Sequence, residues 1–287
     1  MYSYKTGIEQ IDQLCGGFES GTNILILAPP MSYAEQLAYA LTKPLEGEYA
    51  IILSTNERAS EVVDYFRLSG SDKRFIGLID AITKSSTPGI ADTSRLMFVS
   101  SPTDLTGIGI KFSNMVETIF EGEFSEGEPG LFPPPIRFCI NSISTLLMYR
   151  KLEVLYQFLH VLIAKLKKVD GVGIYLLNSE SFDTRTLSLI KQLMNCVIEV
   201  KVEHNISFLR IHGIRGASPD WQKFSVSKGQ VTIVPGFPPA STDWMRCWGA
   251  GFPGAAGCCT VWNRGSTVSC SWSQPSVLPW PVVSPAW

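Results

Sequence analysis

Residues 21–41, GTNILILAPPMSYAEQLAYAL, decide the fold. The apolar run from Ile24 to Leu27 stops at Ala28-Pro29-Pro30, and a helix-permissive segment with Leu37, Ala38 and Leu41 follows. Strand, tight turn and helix N-terminus make the architecture of a phosphate-binding loop, in which backbone N–H groups surround an anion. Such a loop needs glycine-type openings, a lysine for the phosphates and a hydroxyl for magnesium. The eight residues from Ala28 read A-P-P-M-S-Y-A-E instead.

Upstream, residues 6–18 read TGIEQIDQLCGGF, with Gly21 three residues on. This segment resembles the T-G-I-x-x-L-D-x-L-x-G-G-G-x-x-x-G opening of the KaiC-like branch of RecA-type ATPases, whose loop is close to G-P-P-G-T-G-K-T. Carried over residue by residue, the family's glycines fall on Ala28, Met31 and Tyr33. Its lysine falls on Ala34 and its metal-binding hydroxyl on Glu35, while Pro29 and Pro30 match. Three further stretches are similar to family parts. Residues 136–146, IRFCINSISTL, resemble the Walker B strand with Asn141 in place of its aspartate. Ser54-Thr55-Asn56-Glu57 resembles a strand end with paired glutamates, of which Glu57 remains. Residues 211–216, IHGIRG, resemble the K-x-R-G segment that reaches a neighbouring subunit's nucleotide; Arg215 remains and Gly213 takes the lysine position.

The resemblance spans about residues 1–235. It implies an α/β RecA-like (P-loop NTPase) fold, a mostly parallel sheet flanked by helices with antiparallel C-terminal strands. The vestigial nucleotide site would comprise Pro29, Pro30, Met31, Ser32, Tyr33, Ala34, Glu35, Glu57, Asn141 and Arg215. Phosphoryl transfer in this class depends on positioned charges. Ala34 carries none, and Glu35 brings an anion to where metal and phosphate would sit, a repulsion of about 4 kcal/mol at roughly 4 Å and an effective dielectric near 20. Hydrolysis by the usual route is therefore not expected and no cofactor is required, although weak ATP binding without turnover stays open. Plainer roles are set beside these: Glu57 as a solvated or helix-dipole carboxylate, Asn141 as a helix cap, Arg215 as a partner of Asp220.

The remaining chain fits an alternating α/β plan. Strands are expected over residues 48–55, 74–82, 96–100, 136–140 and 172–177. Helices are expected from a Ser60 cap to a glycine stop at Gly70, over residues 106–120, along a face from Leu152 to Leu166, and over residues 183–194. Residues 196–202 and 206–214 alternate as an antiparallel hairpin around residues 203–205, and residues 221–226 and 231–234 form two more strands. Residues 121–135, with four glutamates, three glycines and four prolines, read as an exposed loop.

Beyond residue 235 the composition changes. Residues 241–287 hold six of the seven tryptophans and four of the seven cysteines but neither lysine nor glutamate. This stretch is either a Cys/Trp-rich anchoring tail or an extension that does not join the fold; the composition favours the second, and residues 236–287 are set apart as an irregular tail. Cys258, Cys259 and Cys270 lack paired metal-binding spacing. Cys15, Cys139 and Cys196 are expected as reduced, buried thiols.

A formal net charge of −2 gives no global attraction to nucleic acid or anionic membrane. The one basic cluster, Lys165, Lys167 and Lys168, fits a helix C-terminus, so a recombinase-like DNA-binding role is the weaker alternative. No apolar run reaches the roughly 18 residues of a membrane span, and the cytoplasm is the expected location. The resemblance, typical of archaea, implies a homo-oligomer or a hetero-oligomer with a RecA- or KaiC-like relative.

Overall fold

The computed structural model describes residues 2–234 except Pro88, residues 122–133, Arg215, residues 217–219 and Lys228. The expectations for the tail, for Arg215 and for most of the 121–135 loop lie outside the described residues. Among the described residues, ten strands form one sheet in the order β12-β11-β10-β9-β3-β8-β7-β4-β5-β6. They are β3 (Asn23–Ala28), β4 (Tyr49–Ser54), β5 (Ile76–Asp80), β6 (Leu96–Phe98), β7 (Ile136–Ile140), β8 (Val172–Asn178), β9 (Cys196–Glu203), β10 (Ile206–His212), β11 (Gln222–Ser227) and β12 (Gln230–Val234). Strands β3 to β9 run parallel, and β10 to β12 continue antiparallel. A separate pair, β1 (Ser3–Tyr4) and β2 (Phe18–Glu19), was not anticipated from the sequence. Gly17 makes it possible: at φ 102, an added Cβ there would lie 2.5 Å from the Tyr4 carbonyl oxygen.

The parallel strands are continuous apolar runs because both faces are covered. Along β3, Ile24, Ile26 and Ala28 face a cluster shared with α1 (Glu9–Cys15), α2 (Ala34–Thr42) and α3 (Ala59–Leu68). Leu25 and Leu27 face a second cluster, built with α5 (Leu105–Phe120), α6 (Ile143–Tyr149), α7 (Leu152–Lys168) and α8 (Thr184–Lys191). A four-residue α4 (Thr83–Ser86), which the sequence did not announce, follows β5.

Local chemistry sets the helix ends. Gly70, at φ 72, closes α3: its N–H donates to Arg67 O and the Ser71 N–H to Phe66 O, the paired bonds of a Schellman ending. The expected Ser60 cap is corrected. The cap position is Arg58, and the Asp80 carboxylate at the end of β5 accepts from the Ala59 N–H at 2.8 Å, so the anion that anchors this helix start comes from another strand. The β9–β10 turn is tighter than expected: His204 and Asn205 both adopt positive φ, 51° and 60°, as a two-residue hairpin turn requires.

The amino-terminal ends of β4 and β7 carry a buried ion pair. Arg137 and Glu48 are each at most 1% exposed. The guanidinium donates to both Glu48 oxygens, at 2.7 and 3.0 Å, and to the carbonyls of Leu41 and Lys5. Glu48 also accepts from the Leu45 N–H and the Tyr2 hydroxyl, so every strong group has a partner. The pair ties the N-terminal segment and the end of α2 to the central strands.

Candidate functional site

The carboxyl ends of β3, β4 and β7 meet where an open α/β sheet offers a crevice. From β3 the chain turns through Pro29 and Pro30 into α2. Met31 and Tyr33, two of the predicted glycine positions, adopt left-handed backbone at φ 56 and 60. A residue with a Cβ is disfavoured there by about 1–2 kcal/mol. Between them Ser32 is buried; its hydroxyl donates to Pro29 O at 2.7 Å, and its own carbonyl accepts from Ser207 on β10 at 3.2 Å. These bonds hold the turn, while the side chains of Met31 and Tyr33 stand 93% and 54% exposed. Ala34 opens α2 packed in the inner cluster, with half-buried Glu35 behind it.

Glu57 and Asn141 are brought together by a residue that sequence reasoning passed over, Tyr39 of α2. The Asn141 amide oxygen accepts from the Thr55 N–H at 2.8 Å, and its NH2 donates to the Tyr39 and Ser54 hydroxyls, each at 3.1 Å. A backbone N–H can only donate, so Thr55 fixes which way the amide points. Tyr39 passes its own proton to the Glu57 carboxylate, and the Ser54 hydroxyl donates to the Glu57 carbonyl. The Thr55 hydroxyl reaches Ser142 O at 2.8 Å.

Two expectations are corrected by this geometry. Asn141 does not cap the following helix; the Ser142 hydroxyl does, accepting from the Thr145 N–H. Glu57 is not a freely solvated carboxylate but is half-buried on Tyr39. Burial raises its carboxyl above the usual range, the Tyr39 bond opposes this, and the charges of Glu35 and Glu61 add to the rise. Burial also raises the Tyr39 phenol, with Glu57's charge next. Neighbouring Cys139 is pushed up to about 12 by burial. It and Cys196 are buried free thiols, while Cys15 is half-exposed.

The other predicted elements lie apart. Gly213, at the expected lysine position, has φ 87, and a Cβ there would meet the Asn195 carbonyl oxygen at 2.3 Å, so this backbone admits only glycine. Lys165, Lys167 and Lys168 fall in the last turn of α7. Among the described residues no helix is long and apolar enough to cross a membrane, and no three His, Cys, Asp or Glu side chains converge as a metal site.

No curated protein matches the sequence. Among solved structures the chain is similar to the crystal structure of KaiC-like protein PH0186 from the hyperthermophilic archaeon Pyrococcus horikoshii OT3, with a TM-score of 0.57 and 15% identity. That likeness covers 82% of this chain and 99% of the other. At such identity it speaks for the fold, a RecA-like α/β sheet with antiparallel C-terminal strands. A family profile matches residues 21–200, and the chain belongs to the Family of unknown function (DUF7504).

Proposed function

We propose that the protein is a catalytically silent RecA-like module that works by assembly, with itself or with an active RecA- or KaiC-like relative. The observation that carries the silent half is the Asn141 amide. Its NH2 lies between two hydroxyls whose protons are directed at Glu57. A magnesium water shell at this strand end calls for a charged acceptor; an amide NH2 offers a donor. With Ala34 at the lysine position and Glu35 behind it, the residues present do not fit a magnesium nucleotide held in the usual way. Assembly is supported by the resemblance alone.

A second reading, weak ATP binding without turnover, rests on the loop's two left-handed residues, which preserve the backbone course of an anion cradle. Calorimetric titration of the full chain with ATP, with and without magnesium, combined with a phosphate-release assay, separates the two. The silent reading expects no phosphate release and no magnesium-dependent heat. Magnesium-dependent release that disappears in Glu57→Gln would overturn it, and binding without release would favour the second reading. Light scattering tests assembly; a monomer at all concentrations would remove self-association.

A further inference from the structure

A cavity of about 490 Å³ opens at the amino-terminal ends of β5 and β6, the opposite end of the sheet from the Asn141 network. Its walls are apolar, formed by Phe66 of α3, Ile76 and Leu78 of β5, and Leu96 of β6. Its rim is cationic, formed by Arg67, Lys73 and Arg95, against the single carboxylate of Asp72. That carboxylate is shared: it bonds Arg74 and also feels the charge of Arg95, so the rim keeps an excess of cations. Asp72 caps a 3-10 turn over Lys73–Phe75 and is held by the Arg74 guanidinium at 2.7 and 2.9 Å, which keeps its carboxyl below the usual range. Arg67 pairs with Asp64 in an exposed i,i+3 bridge, a kind of contact that yields easily.

An apolar pocket of a few hundred Å³ with a few convergent polar groups has the form of a small-molecule site. Here three cations face one carboxylate, so the complementary ligand has an apolar body and an anionic head. We propose that this pocket binds a single-chain amphiphilic acid, its hydrocarbon between α3 and the β5–β6 edge and its carboxylate at Arg67, Lys73 and Arg95. The ligand is taken as a free monomer, because the walls enclose a chain and do not present a flat face to a bilayer.

Calorimetric titration of the full chain with sodium laurate below its micelle concentration tests this. Saturable binding of one laurate per chain is expected, and Arg67→Glu with Lys73→Glu should weaken it about tenfold or more, the scale of charge-assisted hydrogen bonds lost. Dodecyltrimethylammonium should not compete, and anionic phospholipid vesicles should not substitute for laurate. Val63→Trp, at the partly exposed lip, should block binding without altering rim charge, and serves if the double reversal fails to fold. Ile110→Glu, in the separate apolar groove between α5 and α7, should leave the affinity unchanged. Absence of saturable heat, affinity untouched by charge reversal or by Val63→Trp, or equal competition by the cationic amphiphile would overturn the proposal. So would vesicle binding in place of laurate binding, or loss of binding in Ile110→Glu.

Discussion

Strands β4 and β7 lie side by side and carry buried polar side chains at both ends, yet the two ends solve burial differently. At the amino end a full ion pair, Arg137 with Glu48, is enclosed and every donor is matched. At the carboxyl end a neutral amide, Asn141, mediates between hydroxyls and one half-buried carboxylate with no cation bonded to it among the described residues. A buried charge needs a counter-charge at contact, whereas an amide needs only directed protons. The central cation of this pair of strands thus serves the architecture, and the carboxyl end is held by hydrogen bonds without one.

The sharpest way to break this contrast is to leave one charge of the ion pair alone. Arg137→Met keeps length and burial but strands Glu48, and should cost about 3–5 kcal/mol in urea unfolding. Combining it with Glu48→Leu should recover part of the loss. Recovery stays partial because the Leu45 N–H loses its acceptor. Equal loss in single and double variants would mean that packing, not charge, sets the value of this end.

At the other end, Asn141→Asp introduces a carboxylate and inverts the direction of two protons. Tyr39 and Ser54 would then donate to the new carboxylate, and Glu57 would lose its partner beside a like charge. A loss of about 1–3 kcal/mol near neutral pH is expected, shrinking as acid protonates one member of the pair. The same variant should remain without magnesium-dependent ATP hydrolysis, because Ala34 and Glu35 are unchanged. Tyr39→Phe should cost less, about 1 kcal/mol, since solvent reaches Glu57 and offsets part of the lost bond.

How far these ends were legible follows from the distances over which they are built. The parallel strands declared themselves by unbroken apolar runs, and Gly70 by its place after a helical face. Tyr39 was not legible: it meets Glu57 after 18 residues but Asn141 after 102, and its helix position looks like any core aromatic. Arg137 interrupts an apolar strand, a visible oddity, but its partner lies 89 residues earlier, at the start of another expected strand, where nothing local marks the pairing. The course from strand through turn to helix was legible from Pro29, Pro30 and the flanking elements. That Met31 and Tyr33 adopt left-handed backbone was not, because propensity argues against it at both residues.

A gentler perturbation separates charge from hydrogen bonding at the carboxyl end. Because the folded state raises the Glu57 carboxyl, its contribution to stability is full below the ordinary Glu value of 4.5 and is lost as pH rises through the higher folded value. Glu57→Gln removes that titration yet still offers Tyr39 an acceptor. Its melting temperature should therefore match the wild type in acid and exceed it progressively toward neutral pH. A constant difference across the range would show that the charge of Glu57 is fully accommodated, and the two ends of the strands would then be alike in tolerating a buried carboxylate.

The smallest effect expected concerns the turn that overlies this end. Met31 is left-handed and almost wholly exposed, so its side chain recovers little packing for the backbone conformation it occupies. Met31→Gly removes the steric conflict of its Cβ, although glycine also frees the unfolded chain, and the net gain should be about 0.5–1 kcal/mol in urea unfolding. Tyr33→Gly should gain less, because Tyr33 is only about half exposed and gives up more contact. The direction matters more than the size. A gain in both variants means that the hydrogen bonds of Ser32 hold the turn against the preferences of its neighbours, so that the loop's shape is imposed by the fold. A loss in either would mean that the exposed side chain stabilises the turn itself, and the carboxyl end would then owe its form to the substituted residues and not to an inherited backbone.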